Sequence, residues 1–276
     1  MISFLPAVTP PEYLPEPARW FAFSGDNLLV YLHESEPTIP RLETLAEIGL
    51  TPVNQHYLGT LEGVPCFAAD LGEAITPPEG MSCQGLRRLG EKLAEPLFLV
   101  AGRAIQIVNW ERTHQFCGRC GSPTIYQPHE RAKLCPHCGL TNFPRLSPAI
   151  IVAVTRGDKL LLARNGRFPA GFFSVIAGFV EPGETLEECV VREVLEETGV
   201  LVDNIHYFGS QPWPFPHSLM IAFTATYAGG EIVTDGTEIT EADWFAAAAL
   251  PLIPGKISIS RRLIDWFVSS RTEEKG

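Results

Sequence analysis

Glu193, Glu196 and Glu197 stand three and four residues apart, a spacing that makes carboxylates neighbours on a helix surface. At about 100° per residue they share one arc, which Leu186, Cys189 and Val190 occupy one or two turns earlier. On this reading the buried stripe of the helix turns acidic. Carboxylates so placed repel one another and are costly to desolvate, so the arc calls for a compensating charge. Oxygen-only ligands favour Mg²⁺ or Mn²⁺, ions that keep some water and bridge to substrate phosphates. The competing reading is a solvated acidic face, and the residues around the arc discriminate between the two.

Those residues define the element that carries the arc. Thr185 is a helix N-cap, Glu188 three residues on completes a capping box, and Gly199 supplies a left-handed stop, so the helix spans Leu186 to Thr198. Upstream, Ala149–Val154 and Lys159–Ala163 are apolar runs separated by Arg156-Gly157-Asp158, a hairpin signal, and Phe172–Ala177 reads as a strand entering Gly178. Downstream, Leu219–Tyr227 reads as a further strand and Arg261–Phe267 as a closing helix.

A second chemical pattern is Cys117-Gly-Arg-Cys120 and, fourteen residues on, Cys135-Pro-His-Cys138. Two thiolate pairs at this spacing form a tetrahedral Zn²⁺ site with no open position, which makes it a structural clasp. His129 and His137 lie close in sequence, but four thiolates already fill the shell. Cys66, Cys83 and Cys189 read as small core residues. A disulfide reading of these cysteines is the weaker one, because Met1-Ile2-Ser3-Phe4-Leu5-Pro6 lacks the basic region of a secretory leader and gives no support to an oxidising compartment.

A third pattern is Ser210-Gln211-Pro212-Trp213-Pro214-Phe215-Pro216-His217-Ser218. Proline fixes φ, so the segment is expected to be stiff and extended, presenting Trp213 and Phe215 for stacking against a planar ring. An aromatic edge loop packed on the core fits the same residues.

Around these patterns, 276 residues suffice for two modest domains. A hydrophobic share of 45%, with 24 Gly and 24 Pro, indicates turn-rich globules, and no apolar run approaches a membrane span. A formal charge of −11 disfavours broad, sequence-independent affinity for nucleic acid. Arg145, Arg167, Arg261 and Arg262 read as ordinary surface arginines. The first part of the chain is less distinctive. Residues 5 to 17 hold five prolines and read as an extended lead-in. Strands are expected at Trp20–Phe23, Leu28–Leu32 and Pro65–Ala69, a helix at Leu86–Leu93, and an apolar run from Leu97 to Val108.

Gly178, Glu184, Arg192-Glu193, Val194, Glu196-Glu197, Gly199 and Val200 together resemble the Nudix box at every defining position, and so identify the resemblance as one to Nudix hydrolases. The proline–aromatic stretch is similar to the SQPWPFPxS motif of the NADH pyrophosphatases of the NudC type, which also carry a zinc ribbon before the catalytic domain. The resemblance implies an α+β chain: a small N-terminal α/β domain (1–111) for dimerisation, the zinc ribbon (112–144), and a Nudix α/β/α sandwich with a mixed sheet (145–276).

The resemblance further implies a role for each residue. The backbone carbonyl of Ala177 and the side chain of Glu238 join Glu193, Glu196 and Glu197 around Mg²⁺ or Mn²⁺. Glu197 is the most sensitive catalytic residue, and Arg192 orients the glutamates by ion pairing. Phe179 stacks on nicotinamide opposite an aromatic such as Trp213, and Phe143 stands where relatives often have tyrosine. Gln211, Pro212, Trp213, Pro214, Phe215, Pro216, His217, Ser218 and Ser260 line the rest of the pocket, joined by Arg88 of the N-terminal domain. The implied assembly is a cytoplasmic homodimer in which Trp213 serves the neighbouring subunit.

The expected reaction is divalent-metal-dependent cleavage of the pyrophosphate of NAD(H) to nicotinamide mononucleotide and AMP, with removal of NAD caps from RNA. The alternatives are a Nudix hydrolase of ADP-ribose, diadenosine polyphosphate or coenzyme A, and a zinc-ribbon binding module with an inactive Nudix fold.

Overall fold

The structure, a computed structural model, describes residues 4–14, 17–33, 36–234 and 236–273. Met1-Ile2-Ser3, Glu34-Ser35, Asp235, Glu274-Lys275-Gly276 and two residues of the proline-rich lead-in, Pro15 and Glu16, lie outside the described residues. The chain forms two compact units, Met1–Arg145 and Leu146–Gly276. No helix among the described residues is long and apolar enough to cross a membrane.

In the first unit β1 (Phe4–Pro6), β2 (Ala18–Ser24), β3 (Asn27–His33), β4 (Glu36–Thr38), β5 (Arg41–Leu42), β6 (Asn54–Leu61), β7 (Val64–Asp70) and β8 (Met81–Gly85) form a mixed sheet. Its order is β1-β6-β7-β2-β3-β4, with β5 on β2 and β8 on β3. Trp20, Leu29, Tyr57 and Phe67 share one core cluster. The expected helix at 86–93 is shorter: α1 spans Leu86–Leu89 and stops at Gly90, because glycine propagates a helix poorly and the Gly85 N-cap offers no side chain. The apolar run 97–108 is the middle of a long helix, α2 (Glu95–Thr113), with Pro in its first turn, where the missing N–H costs nothing. The unit closes with a three-stranded ribbon of two-residue strands, β9 (Ile125–Tyr126), β10 (Lys133–Leu134) and β11 (Thr141–Asn142), in the order β11-β10-β9.

The second unit comprises β12 (Ser147–Arg156), β13 (Lys159–Asn165), β14 (Ile176–Phe179), α3 (Leu186–Thr198), β15 (Leu201–Trp213), β16 (Ser218–Gly229), β17 (Ile239–Ala246) and α4 (Ile259–Glu273). The order β15-β16-β12-β13-β17 is mixed: β12 runs parallel to β16 while the other pairs are antiparallel. Successive side chains of a strand face opposite ways, and here the alternation assembles two cores. Ile150, Val152, Val154 and Leu161 pack with Cys189, Val190 and Val194 of α3. Ile151, Ala153, Leu160 and Leu162 pack with Leu263, Ile264 and Phe267 of α4. Burial on both faces explains why these strands read as continuous apolar runs, and the result is an α/β/α sandwich.

Two strand expectations change. Phe172–Ala177 does not form one ladder: Phe172 and Ser174 make single bridges to Leu252 and Ala163, and the ladder against β12 begins at Ile176. The edge of β12 is shared, with β14 taking Ala149–Val152 and β13 joining at Thr155 and Arg156. The proline–aromatic stretch is not extended throughout. Residues up to Trp213 belong to β15, and the chain then reverses so that Trp213 pairs with Ser218. Pro212 is tolerated because β15 is an edge strand, and the other prolines fall in the turn, where no ladder donor is needed.

Candidate active site

The acidic segment folds as its caps dictate. Thr185 accepts from the Glu188 backbone N–H at 3.2 Å while the Glu188 carboxylate accepts from the Thr185 N–H at 2.8 Å, and Gly199 ends α3 with φ 71°. Between β14 and α3 the loop at Glu181–Glu184 is closed by the Glu181 N–H donating to the Glu184 carboxylate at 3.0 Å.

At the centre is Arg192. Its Nε and Nη2 donate to the two oxygens of Glu184 at 2.7 and 2.8 Å, a fork-on-fork pair. Nη1 donates to Glu193 at 2.9 Å and to Glu196 at 3.1 Å, and Nη2 also reaches the Phe179 carbonyl at 3.0 Å. These contacts tie the helix to the loop that enters it. The guanidinium holds the Glu184 carboxyl down to about 2, and the carboxylates push Arg192 above its usual range.

Glu193 is closely enclosed. A Cβ on Gly178 would fall 1.8 Å from its Cδ, so the carboxylate occupies the space that a side chain at 178 would need. Burial, and then the neighbouring Glu196 and Glu238 carboxylates, raise its pKa, against the opposing pull of Arg192. The acidic arc is therefore only partly buried. The Glu193 side chain is 13% exposed, but that of Glu196 is 60% exposed, and Val194 and Thr198 take the core-facing positions instead. A carboxylate disfavoured as an anion by burial and by like charges fits a hard divalent cation, and Glu193, Glu196, Glu197 and Glu238 offer the oxygen donors that Mg²⁺ or Mn²⁺ takes.

Ala177 and Phe179 alternate with Gly178 on β14, and their side chains are exposed, the Phe179 ring to 58%. Glu238 precedes β17; its carbonyl accepts from the Gly166 N–H at 2.9 Å, and Asn165 Nδ2 donates to its carboxylate at 3.5 Å. The Trp213 and Phe215 rings meet edge to face at 5.0 Å. Gln211 has both ends of its amide committed: Nε2 donates to the Ile257 carbonyl and Oε1 accepts from the Ile259 N–H, each at 2.7 Å, which caps the start of α4. Ser218 and Ser260 are buried, and the Ser260 hydroxyl pairs with Ser174 at 2.8 Å. His217 Nδ1 meets the Ser147 hydroxyl at 3.1 Å. Pro214 is buried and Pro216 exposed. Phe143 (58% exposed) and the exposed Arg88 belong to the first unit. The sequence reading assigned no role to Glu184, Gly178, Asn165 or Ser174. Glu184 had a signal, its fixed place in the box; Asn165 and Ser174 had none.

The four cysteines of the ribbon present Sγ atoms within 4.8 Å of one another, with Cys117–Cys138 and Cys120–Cys135 at 3.5 Å. Tetrahedral thiolates about 2.3 Å from zinc would stand roughly 3.8 Å apart, so the set fits a structural zinc ion. The two knuckles repeat one geometry. Gly121 and Gly139, with φ 75° and 74°, let each loop close from its N–H to the carbonyl of Cys117 or Cys135. Backbone N–H groups of Arg119 and Cys138 donate to Cys117 and Cys135 sulfur at 3.4 Å. His129 and His137 are exposed. Of the remaining cysteines, Cys66 and Cys189 are buried core residues, and burial pushes the Cys189 thiol up to about 12.

Three segments of the chain match known families: residues 17–110 the NADH pyrophosphatase-like rudimentary NUDIX domain, 112–143 the NADH pyrophosphatase zinc ribbon domain, and 145–267 the NUDIX domain. A relative from Pseudomonas fluorescens, named NAD-capped RNA hydrolase NudC, is 44% identical over 255 residues, covering 92% of this chain and 91% of its own. A relative of the same name from Pseudomonas aeruginosa is 50% identical over 218 residues, 79% of this chain and 78% of its own. Among solved structures, a NUDIX hydrolase from Nitrosomonas europaea superposes with a TM-score of 0.50 at 22% identity, over 58% of this chain and 93% of that one, a likeness of fold.

Proposed function

The chain belongs to the NudC-type NADH pyrophosphatases of the Nudix hydrolases, and from that premise we infer that it hydrolyses the pyrophosphate bond of NAD(H) to nicotinamide mononucleotide and AMP and removes NAD caps from RNA. The observation that carries the substrate class is 44% identity to a NAD-capped RNA hydrolase over 92% of the chain.

The pyrophosphate of the substrate is anionic, and so is the nucleophile that must reach it. A divalent ion, Mg²⁺ or Mn²⁺, supplies charge neutralisation and a more acidic bound water when present. Glu193, Glu196, Glu197, Glu238 and the Ala177 carbonyl are the groups proposed to hold it. Arg192 acts on these groups and not on substrate: by pinning Glu184, Glu193 and Glu196 together it fixes the direction of their oxygens before substrate arrives. Water attacks phosphorus, the bridging P–O bond breaks, and one of the glutamates, with Glu197 the choice, accepts the proton. The exposed Phe179 ring is suited to stack on nicotinamide. Trp213, Phe215, His217, Ser218 and Ser260 are proposed for the remaining pocket. Gln211 is assigned to holding the start of α4. A homodimer in which Trp213 serves the neighbouring subunit, acting in the cytoplasm, completes the proposal.

Chromatography of NADH incubated with Mg²⁺ and protein tests this, with Glu197→Gln alongside and with ADP-ribose and NAD-capped RNA in parallel. Reduced nicotinamide mononucleotide and AMP from the wild type alone are expected. Turnover of ADP-ribose without cleavage of NADH or capped RNA would overturn the substrate assignment, and salt-dependent RNA binding with no turnover would overturn the enzymatic one.

A further inference from the structure

Lys133 lies two residues before the second cysteine pair, on β10, and is only 3% exposed. Lysine is rarely buried this deeply without a partner, and here the partner comes from outside the ribbon. Its Nζ donates to Glu111 Oε1 at 2.7 Å; Glu111 stands in the last turn of α2 and is 4% exposed. The ammonium also faces the rings of Tyr126 on β9 at 5.1 Å and Trp110 on α2 at 6.0 Å. The second Glu111 oxygen has no hydrogen bond and sits 3.6 Å from Nε2 of His56 on β6, which has none either. Burial foremost disfavours a charged His56, with Glu111 opposing and Arg131 and Lys133 adding to it, so with the ribbon in place the lysine is the cation that pairs with Glu111. Two residues before Lys133, Arg131 Nη2 donates to the carbonyls of Ala7 at 3.0 Å and Tyr57 at 2.7 Å, which fastens the same turn to the sheet.

Apart from these Arg131 bonds, the ribbon has little with which to hold Lys133 in place except its metal. Its strands are two residues long, and a module of this size depends on metal to fold. β10 runs directly into the Cys135 knuckle. We propose that the Lys133–Glu111 pair makes the fold of the last turns of α2 and of the adjoining part of β6 conditional on zinc in the ribbon: when the metal leaves, Lys133 leaves with the ribbon and strands a buried carboxylate at the end of α2. A lone buried charge must reach water. The last turns of α2 and the adjoining part of β6 then open, although neither contains a zinc ligand.

Hydrogen exchange by mass spectrometry on the full-length protein, zinc-loaded and zinc-stripped, reads this directly. Peptides from the ribbon, from 104–113, from 54–61 and, as an internal control, from α3 are compared. In the wild type, stripping zinc should speed exchange in 104–113 and 54–61 by roughly 100-fold or more, as well as in the ribbon, while α3 is unchanged. The double variant Lys133→Met/Glu111→Leu replaces the pair with apolar groups, and in it stripping should release the ribbon alone. Glu111→Gln, which removes the stranded charge with the least change of shape, should shrink the response in the same direction and serves if the double variant does not fold. Wild-type 104–113 and 54–61 peptides that keep their protection without zinc would overturn the proposal. So would a loss of protection as large in the variants as in the wild type.

Discussion

Replacing Gly178 by alanine should separate catalysis from folding. The new methyl would fall 1.8 Å from Glu193 Cδ and 2.0 and 2.1 Å from its oxygens, where real Cβ atoms stay beyond about 3.0 Å. The backbone at 178 is ordinary strand, so alanine itself is not strained, and what must yield is the tip of a flexible side chain. The carboxylate then moves by more than about 1 Å, a misplacement worth on the order of 100-fold in rate, or about 2.7 kcal/mol of activation energy. Folding loses little: weakening the contact with Arg192 costs about 1 kcal/mol, which lowers Tm by roughly 2–4 °C. Steady-state NADH hydrolysis beside a thermal melt gives both numbers. Near-wild-type kcat with an unchanged melt would refute the argument that Gly178 makes room for Glu193. A fall in Tm of ten degrees or more would show that the close approach serves packing.

Arg192→Lys keeps the charge but loses the fork that grips Glu184 and reaches Glu193 and Glu196, so kcat should fall by roughly 10- to 100-fold with KM little changed; equal activity would remove Arg192 from its orienting role. The Glu184 carboxyl is held at about 2 against an ordinary 4.5. Its contribution to stability is present above pH 4.5 and lost as pH falls from there towards 2, and Glu184→Gln should abolish that segment of the acid-unfolding curve. Phe179→Ala removes an exposed ring, so Tm should stay put while KM for NADH rises by roughly 3- to 10-fold; an unchanged KM would free Phe179 from substrate stacking.

Much of α3 was legible in sequence because its signals are local. Thr185, Glu188 and Gly199 set the bounds of α3 without help from the rest of the chain, and Gly157-Asp158 sets the β12–β13 turn. Where local signals competed, sequence reasoning erred. The helical arc placed Glu196 with Glu193, but the arc spans more than the sheet covers, and the rim residue faces solvent. Proline stiffness suggested an extended presenting segment, but pairing on both flanks forces a reversal between Trp213 and Ser218. The amide of Gln211 binds Ile257 and Ile259 at the start of α4, contacts 46 and 48 residues away that no local signal announces.

By itself the sequence determined the zinc clasp, the acidic helix and the family, since each rests on short spacings that backbone geometry translates directly into proximity. Tertiary structure decided what each charge is worth. Glu193 becomes a disfavoured anion because the fold buries it over Gly178 of β14, and Lys133 is a buried cation only because α2 ends beside the ribbon with Glu111 facing in. Desolvation depends on every neighbour in space, and no spacing along the chain encodes it.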